Sequence, residues 1–88
     1  MTPEALSTTI RSIVTDHLMK VGKDAAVTDD ACLAHDLGLD SLDVWEIVFA
    51  VEEAFDVEFT DQAVTDLKTV GDLAGFVSGE LGIGKAAA

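Results

Sequence analysis

Residues 36–55 read Asp36-Leu37-Gly38-Leu39-Asp40-Ser41-Leu42-Asp43-Val44-Trp45-Glu46-Ile47-Val48-Phe49-Ala50-Val51-Glu52-Glu53-Ala54-Phe55. Projected at about 100° per residue, Val44, Ile47, Val48, Val51 and Phe55 gather on one side. That spacing predicts a helix from Ser41 to about Phe55 with one face in a core. Asp40 is its expected N-cap, because a short carboxylate can accept the first free backbone N–H groups. Gly38 permits the tight turn that leads into it.

The same projection puts Leu42, Trp45 and Phe49 on roughly the opposite side, among Glu46, Glu52 and Glu53, with Asp43 on the flank. A single-core bundle has no obvious place to bury this second apolar set. Large apolar anchors ringed by carboxylates make a docking surface, the anchors giving affinity and the charges steering and orienting a partner. The alternative is that the preceding loop folds over Leu42 and Trp45 and buries them structurally. Phe49, one turn further along, is expected to be the more exposed.

Upstream, residues 23–40 show no sustained period, so they read as one long loop with a short turn near Asp29 to Ala31. Val27, Leu33, Leu37 and Leu39 are spaced to drop into a core. A loop of this length in a small domain usually serves a function. Before it, Thr2-Pro3-Glu4 is a helix start and Leu6, Ile10, Ile13, Val14 and Leu18 follow at helical spacing. The first helix is placed from about Pro3 to Met19, ending near Gly22. His17 falls on its apolar side and reads as a core or boundary histidine, since no second ligand-type residue accompanies it in sequence. His35 reads as a solvated loop residue.

Downstream, Asp61 to Leu67 can form a short helix capped by Thr60 or Asp61. Thr69-Val70-Gly71-Asp72 has the form of a capping box. The last helix then presents Val70, Leu73, Ala74, Val77 and Leu81 on one face, and a loose tail is expected from about residue 82. The reading is a single all-α domain over residues 1–88, a four-helix bundle of three main helices and one short one. Asp56, Glu58 and Asp61 have carboxylate spacing without the glycine-centred loop of an EF-hand, so no metal site is assigned.

Ser41 occupies the first turn of the second helix, where its hydroxyl can point outward at the positive end of the helix dipole. A phosphodiester there would be stabilised by free N–H groups. Three roles are open to it on these grounds: an attachment point, a nucleophile, or a plain helix-start serine. The nucleophile is disfavoured because Gly38-Leu39-Asp40-Ser41-Leu42 is not the G-x-S-x-G elbow and neither histidine is placed by sequence to act as its base.

The composition of the whole chain narrows the partners. Seventeen acidic residues against five basic ones give a net charge of −12, and the stretch from Asp24 to Leu67 contains no lysine or arginine. Such a field repels nucleic acid and anionic lipid and attracts basic protein surfaces. At 88 residues the core is thin, burying about 60–65% of the unfolded surface, which argues against an enclosed active site and for a non-enzyme. Cys32 is the only cysteine, which excludes an intrachain disulfide. With no basic-then-apolar leader and no apolar run near the ~18 residues of a membrane span, a cytoplasmic monomer is expected.

The run Asp36-Leu37-Gly38-Leu39-Asp40-Ser41-Leu42-Asp43, continued by the acidic amphipathic stretch to Phe55, resembles the bacterial acyl carrier protein family. Looser similarity covers most of the chain. The resemblance implies that Ser41, in the motif Asp40-Ser41-Leu42, receives 4′-phosphopantetheine from coenzyme A through a phosphopantetheinyl transferase. It implies carriage of acyl groups as thioesters on that arm, in fatty-acid or related metabolism, and presentation to acyl-transferring and acyl-modifying enzymes with basic docking surfaces. Asp43, Trp45, Glu46, Phe49, Glu52 and Glu53 are then the partner-facing residues of a recognition helix. Growing chains are shielded between the helices in that family, with Val48, Val51, Phe55, Leu67 and Leu73 as lining candidates here. Trp45 stands where the family usually has a smaller residue, and Phe59-Thr60-Asp61-Gln62 replaces an isoleucine-proline-acid-acid run. Both departures point to a specialised carrier, and a carrier of aminoacyl or polyketide units shares the same serine and arm. An unmodified acidic interaction domain is the remaining alternative.

Overall fold

The computed structural model describes residues 3–23 and 25–82. It contains helices α1 (Pro3–Lys20), α2 (Ser41–Phe55), α3 (Asp61–Asp66) and α4 (Val70–Leu81), and no strand among the described residues. The expected helix-start cap at Thr2 and the tail from residue 83 onward lie outside the described residues.

Each helix end follows from its local chemistry. At Gly22, with φ +76°, α1 closes as the Lys23 N–H donates to the Leu18 carbonyl at 2.8 Å and the Gly22 N–H to Met19 at 3.2 Å. A residue free of a Cβ adopts that left-handed conformation most readily. Asp40 caps α2, and Thr69 caps α4 in the expected box with Asp72. Thr60, rather than Asp61, caps α3, its hydroxyl accepting the Ala63 N–H at 3.0 Å.

The core joins Leu6, Ile10, Val14 and Leu18 of α1 to Ile47, Val48, Val51 and Phe55 of α2 and to Val70, Leu73 and Val77 of α4. From the α1–α2 loop, Leu33, Leu37 and Leu39 drop in as their spacing predicts, while Val27 is half-buried. Leu81 departs from expectation. It lies on the apolar face of α4 by register yet is 41% exposed, at the last position of the helix.

The long loop is anchored rather than loose. Cys32 and Thr69 form an isolated antiparallel bridge: the Leu33 N–H donates to the Lys68 carbonyl at 2.8 Å and the Val70 N–H to Ala31 at 3.1 Å. The Gly71 N–H donates to the Asp29 carbonyl at 2.8 Å, and a Cβ on Gly71 would meet that oxygen at 3.0 Å. Asp36 turns the loop back on itself, its carboxylate accepting the Cys32 N–H at 2.7 Å. These bonds fix where the loop delivers the chain to the start of α2.

Candidate functional site

Ser41 is the first residue of α2 and is exposed. Its position is set by a reciprocal pair of carboxylates. The Asp43 N–H donates to Asp40 Oδ1 at 2.9 Å, and the Asp40 N–H donates to Asp43 Oδ2 at 3.2 Å. This capping box uses an aspartate at the third helical position, where the familiar pattern has Glu or Gln. Among the described residues, the backbone N–H groups of Ser41 and Leu42 have no hydrogen-bond acceptor. They belong to exposed residues at the positive end of α2, and this is an arrangement that fits a phosphodiester on the neighbouring hydroxyl.

Beside Ser41 lies a cavity of about 560 Å³. Ser41, Val44 and Trp45 of α2 form one wall, Leu33 of the loop another, and Val64 and Leu67 at the end of α3 a third. Of the five residues expected to line an interior acyl space, only Leu67 reaches this cavity. Val48, Val51 and Leu73 are fully enclosed in the core and Phe55 nearly so. The cavity beside Ser41 therefore opens at the mouth of α2, and the four core positions do not line it.

The second apolar face of α2 divides in two. Leu42 and Phe49 stand out at 69% and 57% exposed. Trp45 is half-buried, one edge in the cavity wall and its ring 5.7 Å from that of Phe49 at a tilt of 42°. Thus Trp45 is covered in part and Leu42 is left free, an outcome between the two alternatives.

The carboxylates also divide. Glu46 and Glu53 are exposed. Glu52 is half-buried and its Oε2 accepts the Phe59 N–H at 2.8 Å, which ties the α2–α3 connection to α2. Asp43 is largely enclosed, and both of its oxygens are engaged within the molecule: one by Asp40, the other by His17 Nε2 at 2.9 Å. The His17 hydrogen bond, then the Asp40 N–H, hold the Asp43 carboxyl below its ordinary 3.8, against a smaller opposing effect of desolvation.

His17 is buried, as its register implied. Its isolation from other ligand-type side chains does not hold in three dimensions, since Asp43 lies 2.9 Å and Glu46 4.0 Å from its Nε2. The pair His17–Asp43 spans 26 residues, so no local pattern announces it. Cys32 is half-buried at the cavity edge, and His35 is exposed beside it.

Residues 8–77 match the protein family described as "Phosphopantetheine attachment site", a span that contains Ser41 and all of α2. An acyl carrier protein of Prochlorococcus marinus is 39% identical over 82 residues, covering 93% of this chain and all of that protein. One from Phenylobacterium zucineum is 44% identical over 73 residues, covering 83% of this chain and 90% of the relative. The crystal structure of an acyl carrier protein from Thermotoga maritima superposes with a TM-score of 0.72 at 28% identity, covering 88% of this chain and 91% of that one. A helical bundle that offers a serine at a helix mouth, in a chain similar over most of its length to these carriers, belongs to the acyl carrier protein family, whose members bear 4′-phosphopantetheine and act as carriers and not as catalysts.

Proposed function

We propose that Ser41 is the attachment residue for 4′-phosphopantetheine and that the exposed face of α2 is where partner enzymes dock. The observation that carries this reading is Ser41 itself, exposed at the first position of a helix whose cap leaves two adjacent N–H groups free. Asp40 and Asp43 hold that geometry by capping each other, while Leu42 projects outward beside the serine as an apolar contact for an approaching enzyme. When bound, the group supplies a thiol that carries acyl cargo as a thioester. Trp45, Val44, Leu33 and Leu67 offer an apolar surface next to the attachment point, large enough to take part of an arm or a cargo out of water.

Docking in this reading is divided among Leu42, Phe49, Glu46 and Glu53, which face solvent, with Trp45 contributing one edge. Asp43 and Glu52 act mainly by holding the surface in shape. The partners are a phosphopantetheinyl transferase and acyl-handling enzymes with basic surfaces, in fatty-acid or related acyl metabolism. Trp45 in the cavity wall favours a dedicated pathway, because a bulky aromatic there narrows the cargo that fits.

Intact-mass spectrometry after incubation with coenzyme A and a broad-specificity phosphopantetheinyl transferase tests the assignment. The wild-type chain is expected to gain one phosphopantetheine and the Ser41→Ala variant none, with unchanged circular dichroism. An unmodified wild type, under conditions that modify a control carrier, overturns it and leaves an unmodified interaction domain. The mass of the form isolated from cells identifies the cargo.

A further inference from the structure

We propose that His17, Asp43 and Glu46 form a binding site for a divalent transition ion of the zinc class, bridging α1 and α2 beside the mouth of the recognition helix. One atom from each side chain, Nε2 of His17 and a carboxylate oxygen from Asp43 and from Glu46, lies within 4.8 Å of the others. On a tetrahedral zinc ion with bonds of about 2.1 Å, two ligand atoms sit about 3.4 Å apart. The separations from His17 Nε2, 2.9 Å to Asp43 Oδ1 and 4.0 Å to Glu46 Oε2, bracket that value. The Asp43 and Glu46 oxygens lie within 4.8 Å of each other, so the site assembles by side-chain shifts of about an ångström, with the backbones of both helices held by the core on either side.

The donor set selects the ion. Imidazole with two carboxylates suits zinc, nickel or copper, whereas magnesium and calcium prefer oxygen alone. His17 is 8% exposed, so its imidazole is preplaced and loses little freedom on binding. Access comes from a hollow of about 250 Å³ between the helices, lined by Asp16, His17 and Lys20 of α1 and by Glu46, Ile47 and Ala50 of α2. That hollow has room for a water as fourth ligand. Asp16 adds negative charge at the opening and Lys20 opposes it. The ion replaces the His17–Asp43 hydrogen bond with a stronger link and offsets two negative charges on the flank of the docking face.

The inference does not depend on Ser41, and its test uses the full chain without a prosthetic group. The chain has two histidines, His17 and His35, so imidazole resonances in proton–nitrogen spectra separate the proposed site from the exposed one. With magnesium present in excess to occupy the general acidic surface, zinc is titrated into wild type and into His17→Gln, which keeps a donor for Asp43. His17 signals are expected to shift to saturation at one equivalent. Loss of an outer-shell partner alone weakens metal sites 10–100-fold, so His17→Gln is expected to bind zinc at least about tenfold more weakly. His35→Gln is expected to bind as wild type does. Unmoved His17 signals, a response confined to His35, or equal affinity in His17→Gln each overturn the proposal. The wild-type spectra decide the matter even if His17→Gln unfolds.

Discussion

Asp43 is one carboxylate with two structural attachments, and its protonation weakens both. Its folded-state pKa lies below the ordinary 3.8 chiefly because of His17 and the Asp40 N–H. A depressed carboxyl pKa contributes stability that is fully present above the unfolded value and is lost as pH falls through the folded one. The acid limb of the stability curve should therefore begin near pH 3.8 and continue below it. Asp43→Asn is expected to cost about 1–2 kcal/mol at pH 7, from a lost cap interaction and a weakened bond to His17, and to flatten that limb. Urea unfolding of both proteins at neutral pH and near pH 3, in chelator-treated buffer, measures this. Equal losses at both values would show that the charge of Asp43 is immaterial. Nothing in the local sequence pairs Asp43 with His17; the crossing of α1 and α2 does so, and only packing fixes that crossing.

Along α2, burial separates side chains of similar chemistry into two tasks. Val48 is fully buried and Phe49, next in sequence, is 57% exposed. Val48→Ala removes core volume and is expected to destabilise by about 1–3 kcal/mol, whereas Phe49→Ala should alter stability by less than about 0.5 kcal/mol. For binding of an acyl-handling enzyme the order reverses: Phe49→Ala is expected to cost about 1–2 kcal/mol of affinity, as an apolar anchor does. Denaturation midpoints and binding titrations on the same two variants give the cross. A Phe49→Ala protein that binds as wild type does would remove α2's apolar face from the docking surface.

The helices themselves were legible because their determinants are local. Asp40 before Ser41, Thr69 three residues before Asp72, and the core stripe of α2 each act within about three turns. The placement of Trp45 was not legible, since it depends on how the loop and α3 come together beside α2. The cavity escaped for the same reason. Its walls come from the loop, α2 and α3, and of the positions named for it in the sequence all but Leu67 pack into the core instead. Leu81 marks the limit of periodicity: register gives the face, but only a neighbour gives burial.

Across the molecule, the net charge of −12 acts on folding and on association with opposite sign. The radius of gyration is 12.2 Å. At 0.01 M salt the screening length is about 30 Å, so every acid group repels every other across the whole fold. At 0.15 M it falls to about 8 Å, shorter than the protein, and most of that repulsion vanishes. Unfolding spreads the charges apart, so screening favours the folded state more than the unfolded one. Urea midpoints should therefore rise between these two salt concentrations; guanidinium, being itself a salt, would hide the effect. Association with a basic partner relies on the same field as an attraction, and its rate constant should fall over the same range. The two measurements share a cause and must move in opposite senses. A stability that falls with added salt would mean that local attractions such as Arg11–Asp29, at 3.2 Å, outweigh the collective repulsion. That exposed pair is worth at most about 1 kcal/mol, against twelve uncompensated negative charges confined to one small bundle.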